Sequence, residues 1–198
     1  MADKYEHVCS SVTPRLGNKV SKWFWRSVLH MIGWKIKGQF PEEPKLVFIG
    51  APHTSNWDFI LAVASMQAAG VKASWMMKKQ AFFWPFAGWF KSLGGIPIDR
   101  NAKLDITTQM AEWFNSVDQG YLGITPEGTR SKVENYKKGY LRIAYAAGVP
   151  VFLVAIHGPT KEIILDKIMP LTFDTNTDNR KIKAHYDKNY VGVRAENG

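Results

Sequence analysis

Val149-Pro150-Val151-Phe152-Leu153-Val154-Ala155-Ile156 is an unbroken apolar run of eight residues. A run of that length without alternation predicts a central strand buried on both faces, as in a parallel sheet covered by helices. Upstream, residues 140–147 read as a helix ended by Gly148, and residues 121–125 as a short strand. Ile106, Met110, Trp113, Phe114 and Val117 recur at steps of three and four, predicting a helix over 104–117. Further back, 45–50 (KLVFIG) predicts a buried strand, 59–69 an apolar helix ended by Gly70, and 71–77 a second strand. Residues 81–93 read as helical on both sides of Pro85, and 94–100 (GGIPIDR) as a strand with its turn. The tail shows weaker strands near 162–165, 181–186 and 190–193, around a polar loop at 174–180. Strands alternating with helices predict an α/β fold: one domain with a largely parallel mixed sheet flanked by helices.

The chain has 198 residues, 45% of them hydrophobic and 22% charged. These values suit one globular domain and exclude disorder, collagen-like repeats and a coiled coil as its main description. Its one cysteine, Cys9, excludes an intramolecular disulfide framework and fits a reducing compartment. Lys plus Arg number 26 against 17 Asp plus Glu, a net charge of +9. That excess calls for an anionic partner: nucleic acid, an acidic membrane surface or a phosphorylated substrate. The basic residues are spread along the chain and no nucleic-acid motif is present, which argues against nucleic acid. Eight Trp, eleven Phe and seven Tyr, many beside basic residues, suit a membrane interface, where aromatic rings sit half wet and cations meet head groups.

The first fifteen residues carry no apolar stretch of secretory-signal length, and no run of about 18 apolar residues predicts a spanning helix. Residues 19–37 instead read as one amphipathic helix. Lys19, Lys22, Arg26, His30 and Lys37 form a basic face, with Val20, Trp23, Phe24, Val28, Met31 and Trp34 on the opposite side. Such a helix either lies in a membrane interface or packs on its own domain. The organisation expected is therefore a membrane-associating N-terminal segment over 1–38 and a domain over 39–198.

Chemistry concentrates in three segments. In Pro52-His53-Thr54-Ser55-Asn56-Trp57-Asp58, Ser55 and Asp58 make S-x-x-D before an apolar run, a capping box with Ser55 as N-cap and Asp58 at N3. His53 then lies in the turn before the helix, free to fold back on the Asp58 carboxylate, which suits the helix dipole. Held so, one imidazole nitrogen donates and the other can act as a base. A histidine that is merely satisfied at the surface is the plainer alternative. No G-x-S-x-G is present and Cys9 lies in a polar stretch, so a base at His53 would activate a substrate hydroxyl directly. Pro126-Glu127-Gly128-Thr129-Arg130 follows a strand, where open α/β sheets place ligand sites, and Asp99-Arg100 ends another. Two arginines at two strand ends could clamp a phosphate; each could equally be a surface turn or ion pair.

His53-x4-Asp58, Gly94-Gly95-Ile96-Pro97-Ile98-Asp99-Arg100, Pro126-Glu127-Gly128-Thr129-Arg130-Ser131 and Val149-Pro150-Val151 occur in that order. Tyr136-Lys137-Lys138-Gly139 follows the third block. This pattern, over residues 45–157, resembles the glycerolipid acyltransferases of the lysophosphatidic acid acyltransferase (PlsC-like, H-x4-D) family. Two positions depart from it: Pro52 stands where the family commonly has Asn, and Pro97 where many members have Phe.

The resemblance implies a glycerol-3-phosphate acyltransferase-like fold and an O-acyltransferase. A fatty acyl group would pass from a thioester, acyl-CoA or acyl-carrier protein, to the hydroxyl of a lysophospholipid. The expected acceptor is 1-acylglycerol-3-phosphate, giving phosphatidic acid. It implies His53 as general base oriented by Asp58, Arg100 and Arg130 on the acceptor phosphate, and Glu127, Gly128 and Thr129 shaping the acceptor pocket. Val149-Pro150-Val151 would be structural or line the acyl site. Neither metal nor cofactor beyond the thioester co-substrate is expected, and the place is the cytoplasmic face of a membrane, peripheral or monotopic. The apolar 81–90 stretch (AFFWPFAGWF) then dips into the bilayer, lines the acyl tunnel or belongs to the core. Another lysolipid or lyso-aminolipid acceptor, and a non-catalytic protein that binds anionic lipid, are the alternatives.

Overall fold

The computed structural model describes residues 6–99, 102, 104–129 and 131–193. Among them, seven strands build one sheet: β1 (Lys35–Gly38), β2 (Lys45–Ala51), β3 (Ala73–Lys78), β4 (Gly95–Ile98), β5 (Gly120–Ile124), β6 (Val151–His157) and β7 (Glu162–Met169), in the order β1-β7-β6-β2-β5-β3-β4. β6, β2, β5, β3 and β4 are parallel. β7 runs antiparallel to β6 and carries β1, parallel to itself, on the outer edge.

Side chains alternate between two cores, as the pleat requires. Leu46 and Phe48 of β2 and Phe152, Val154 and Ile156 of β6 face α1 (Lys19–Met31) and α2 (Asn56–Ala69). Val47 and Ile49, with Val151, Leu153 and Ala155, face α4 (Ile106–Asn115), α5 (Gly139–Ala147) and α6 (Thr175–Asn189). Helices on both sides explain the unbroken apolar run of β6. α3 (Ala87–Leu93) sits beside β4. α2 and α5 end at Gly70 and Gly148, both in the left-handed region where other residues are strained.

Several readings of the sequence are corrected. The helix expected over 19–37 ends at Met31; Gly33 at φ +76° turns the chain, and 35–38 becomes edge strand β1. Trp34, expected on the apolar face of that helix, lies in the core. On the basic side of α1, Arg26 turns inward, its Nε donating to Ala68 O at 2.8 Å, while Lys19 and His30 stay exposed. Ala68 is in the last turn of α2, whose free carbonyls and negative dipole end attract cations. Val20, Trp23, Phe24 and Met31 are left exposed.

Residues 174–186, expected as a polar loop and a strand, belong to α6. Asp174 caps it by accepting from Asn176 N and Thr177 N, and Ile182 and Tyr186, one turn apart, are buried. Residues 190–193 join no strand; Gly158 N donates to Val191 O at 2.9 Å. Before Pro85 there is only a 3₁₀ turn at Lys79–Ala81, and α3 starts at Ala87.

Candidate active site

β2 ends at Ala51, and residues 52–55 carry the chain into α2. Ser55 is the N-cap: its side chain accepts from Trp57 N at 3.2 Å, and Asp58 Oδ2 accepts from Ser55 N at 2.7 Å, so both halves of the capping box form. Thr54 N donates to the same Oδ2 at 2.6 Å. Asp58 is thereby fixed and fully buried, and His53 Nδ1 lies 3.3 Å from its Oδ2. A carboxylate oxygen beside Nδ1 calls for the proton there, leaving the Nε2 lone pair as a base. The imidazole is 17% exposed, enough to meet a substrate.

Glu127 follows β5, the strand next to β2, and both its carboxylate oxygens accept from His53 N, at 3.0 and 2.9 Å. Asp58 thus faces the ring of His53 while Glu127 holds its backbone. Glu127 is buried, and loss of solvent pushes its carboxyl up to about 7, against the pull of the His53 contact. Lys137 N donates to Pro126 O at 2.8 Å and closes the loop 126–137. Gly128 sits at φ +63° in it, where a Cβ would fall 2.6 Å from Lys137 Nζ. Gly128 and Thr129 are exposed, and Thr129 Oγ1 is 3.5 Å from Ser131 N.

Asp99 follows β4 at the same end of the parallel strands. Gln109 holds its backbone on both sides: Oε1 accepts from Asp99 N at 3.2 Å and Nε2 donates to Asp99 O at 2.9 Å. Arg100 and Arg130 lie outside the described residues. The structure therefore brings His53, Asp58 and Glu127 into contact and sets Gly128 and Thr129 on the adjoining exposed loop. The contact between Glu127 and His53 N had no signal in the sequence, because it joins residues 74 positions apart.

Around this end, large apolar side chains face solvent: Trp57, Phe59 and Ile60 at the start of α2 and Phe83, Trp84, Phe86 and Trp89 in and before α3, with Trp84 89% exposed. Among the described residues no helix is long and apolar enough to cross a membrane.

Five parallel strands with a capped His–Asp turn at their carboxyl ends define an α/β protein with its candidate site at that edge of the sheet. The acyltransferase family model matches residues 34–157, and the chain belongs to that family. It is 30% identical over 124 residues to the 1-acyl-sn-glycerol-3-phosphate acyltransferase of Salmonella typhimurium, and 32% over the same length to that of Escherichia coli. Each match covers 60% of this chain and 49% of the relative, so the chain spans about half the length of these curated relatives. The crystal structure of the 1-acyl-sn-glycerophosphate acyltransferase PlsC from Thermotoga maritima shares the fold, with a TM-score of 0.58 at 17% identity over 86% of this chain and 78% of that one.

Proposed function

We propose that this chain transfers a fatty acyl group from an acyl thioester, on CoA or acyl-carrier protein, to the free hydroxyl of 1-acylglycerol-3-phosphate, forming phosphatidic acid. The observation that carries the reading is His53 Nδ1 at 3.3 Å from the fixed Asp58 Oδ2. His53 Nε2 takes the proton of the acceptor hydroxyl as its oxygen attacks the thioester carbonyl carbon. The C–O bond forms, the C–S bond breaks, and the proton passes from His53 to the departing thiolate. No acyl-enzyme forms and no metal or cofactor takes part. Arg100 and Arg130 hold the acceptor phosphate, and Gly128 and Thr129 shape its pocket. Glu127 serves as a positioning residue through the His53 N–H.

The names of the relatives, which are 1-acyl-sn-glycerol-3-phosphate acyltransferases, support this acceptor. The exposed apolar side chains of α2 and residues 83–89, beside the site, support a peripheral or monotopic protein that meets a membrane with this face, and the leaflet proposed is the cytoplasmic one. An acceptor that stays in the bilayer then reaches His53 without leaving it.

The test is thioester-dependent transfer to lysophosphatidic acid in mixed micelles, for wild type, His53→Ala and Asp58→Ala. Loss of the base lowers the rate by roughly 10²–10⁴. Inactive wild type with both donors, or His53→Ala as active as wild type, defeats the reading.

A further inference from the structure

α6 lies beyond the segment matched by the family, which ends at residue 157, yet it reaches the site. A cleft of about 260 Å³ opens against Glu127, and Lys132, Tyr136, Lys183, Asp187 and Tyr190 help to line it. Pro52, next to His53, lines it too. At about 30 Å³ per water the cleft holds roughly eight or nine water volumes, below the range of roughly 300–1,000 Å³ that encloses a drug-sized ligand. It has room for a phosphorylated head group and not for a whole lipid.

Lys183 is not placed like a surface lysine. Its side chain is 16% exposed, and Nζ lies 2.6 Å from Asp187 Oδ2 one turn along and 5.7 Å from the centre of the Tyr136 ring. Its neighbours Ile182 and Tyr186 are buried, so α6 cannot rotate to carry the amine into solvent. The ammonium is thus ordered before any ligand arrives, and little rotamer freedom is left to lose on binding. Its charge is felt at Glu127, whose carboxyl it draws downward against the effect of burial. Lys132 adds a second cation from the loop after β5. Burial raises the proton affinity of Tyr136, keeping its hydroxyl as a hydrogen-bond donor, while the Tyr190 hydroxyl is engaged by Asp166. The Glu127 and Asp187 carboxylates line the same cleft. Asp187, its side chain 55% exposed, can turn to water and give up Lys183 to the oxygens of a phosphoryl group, with Lys132 and the Tyr136 hydroxyl beside it.

We propose that Lys183, with Lys132, forms a subsite in this cleft for a phosphoryl group of a substrate. The proposal rests on the acyl-transfer reading. Two sources share the chemistry: the phosphate monoester of the acceptor, or the diphosphate arm of a CoA donor.

The test measures ligand binding apart from turnover, by calorimetry with sn-glycerol 3-phosphate and with free CoA, on wild type, Lys183→Ala, Lys183→Gln and Lys183→Arg. The Ala and Gln variants should bind one ligand roughly ten- to hundredfold more weakly, and Arg should restore most of the loss. The ligand that weakens identifies the source. KM for the matching substrate should rise by the same factor, with kcat within about twofold of wild type. Lysine variants that bind both ligands as wild type does overturn the subsite, as do wild type that binds neither and a fall in kcat alone. Gln keeps most of the aliphatic stem and a polar end without the charge, so a folding defect confined to Ala does not blur the result. Wild type that transfers no acyl group but loses ligand binding on Lys183→Ala would sink the acyl-transfer reading and leave the subsite standing.

Discussion

Replacing Glu127 by Gln should make the protein more stable in mild alkali and, at the same time, a poorer catalyst. The carboxyl is buried and raised from 4.5 to about 7. Its folded state therefore holds the proton more tightly than the unfolded chain. Stability from this group is complete below about pH 4.5 and is lost as pH rises through 7. From 4.5 to about 7, at about 1.4 kcal/mol for each tenfold change in proton affinity, the loss is about 3 kcal/mol. For a chain of this size, about 2–4 °C of Tm per kcal/mol makes that about 6–12 °C. Gln carries no charge to desolvate and escapes the loss. Thermal melts of both proteins at pH 5 and pH 8.5 should show similar Tm values at the lower pH, with the Glu127→Gln variant the higher by that margin at the upper. The amide oxygen still accepts from His53 N, but a charge-assisted bond is roughly twice as strong as a neutral one, so kcat should fall about five- to tenfold. The same Tm offset at both pH values would refute the assignment of this titration to Glu127. Unchanged kcat would show that the grip on the His53 backbone does not matter to the chemistry.

Two other perturbations probe separate parts of the molecule. At Gly192 a Cβ would fall 2.3 Å from Thr54 Cγ2, in the turn that carries His53; Gly192→Ala should cost about 1–3 kcal/mol and lower kcat, read by melting and by the micelle assay, and a wild-type Tm would contradict the close contact. Trp23→Ala and Trp84→Ala, at two of the most exposed aromatics, should each weaken binding to anionic vesicles roughly ten- to hundredfold, since withdrawing such a ring from water is worth about 1.5–3 kcal/mol; equal co-sedimentation of wild type and both variants would remove these side chains from the membrane.

The parts of the fold whose causes are local are legible in the sequence. A polar N-cap, a carboxylate three residues on and an apolar run are enough to start α2, and the same capping box bends His53 back to Asp58. The apolar run of β6 and the glycines at 70 and 148 likewise act through their immediate neighbours. Tertiary structure decided the rest, because the partners come from far along the chain. Lys35–Gly38 is a strand only because β7 supplies its hydrogen bonds, over a hundred residues later. Residues 181–186 alternate well enough for a strand, yet the core accepts Ile182 and Tyr186 one helical turn apart, and α6 forms instead. The face of α1 was settled by contacts with α2 and the core, where Leu29 is buried, Trp25 packs and the carbonyl of Ala68 holds Arg26, leaving Trp23 and Phe24 outside. Glu127 meets His53, and Lys183 reaches their cleft, because parallel strands bring their carboxyl ends to one edge of the sheet, where α6 packs beside them.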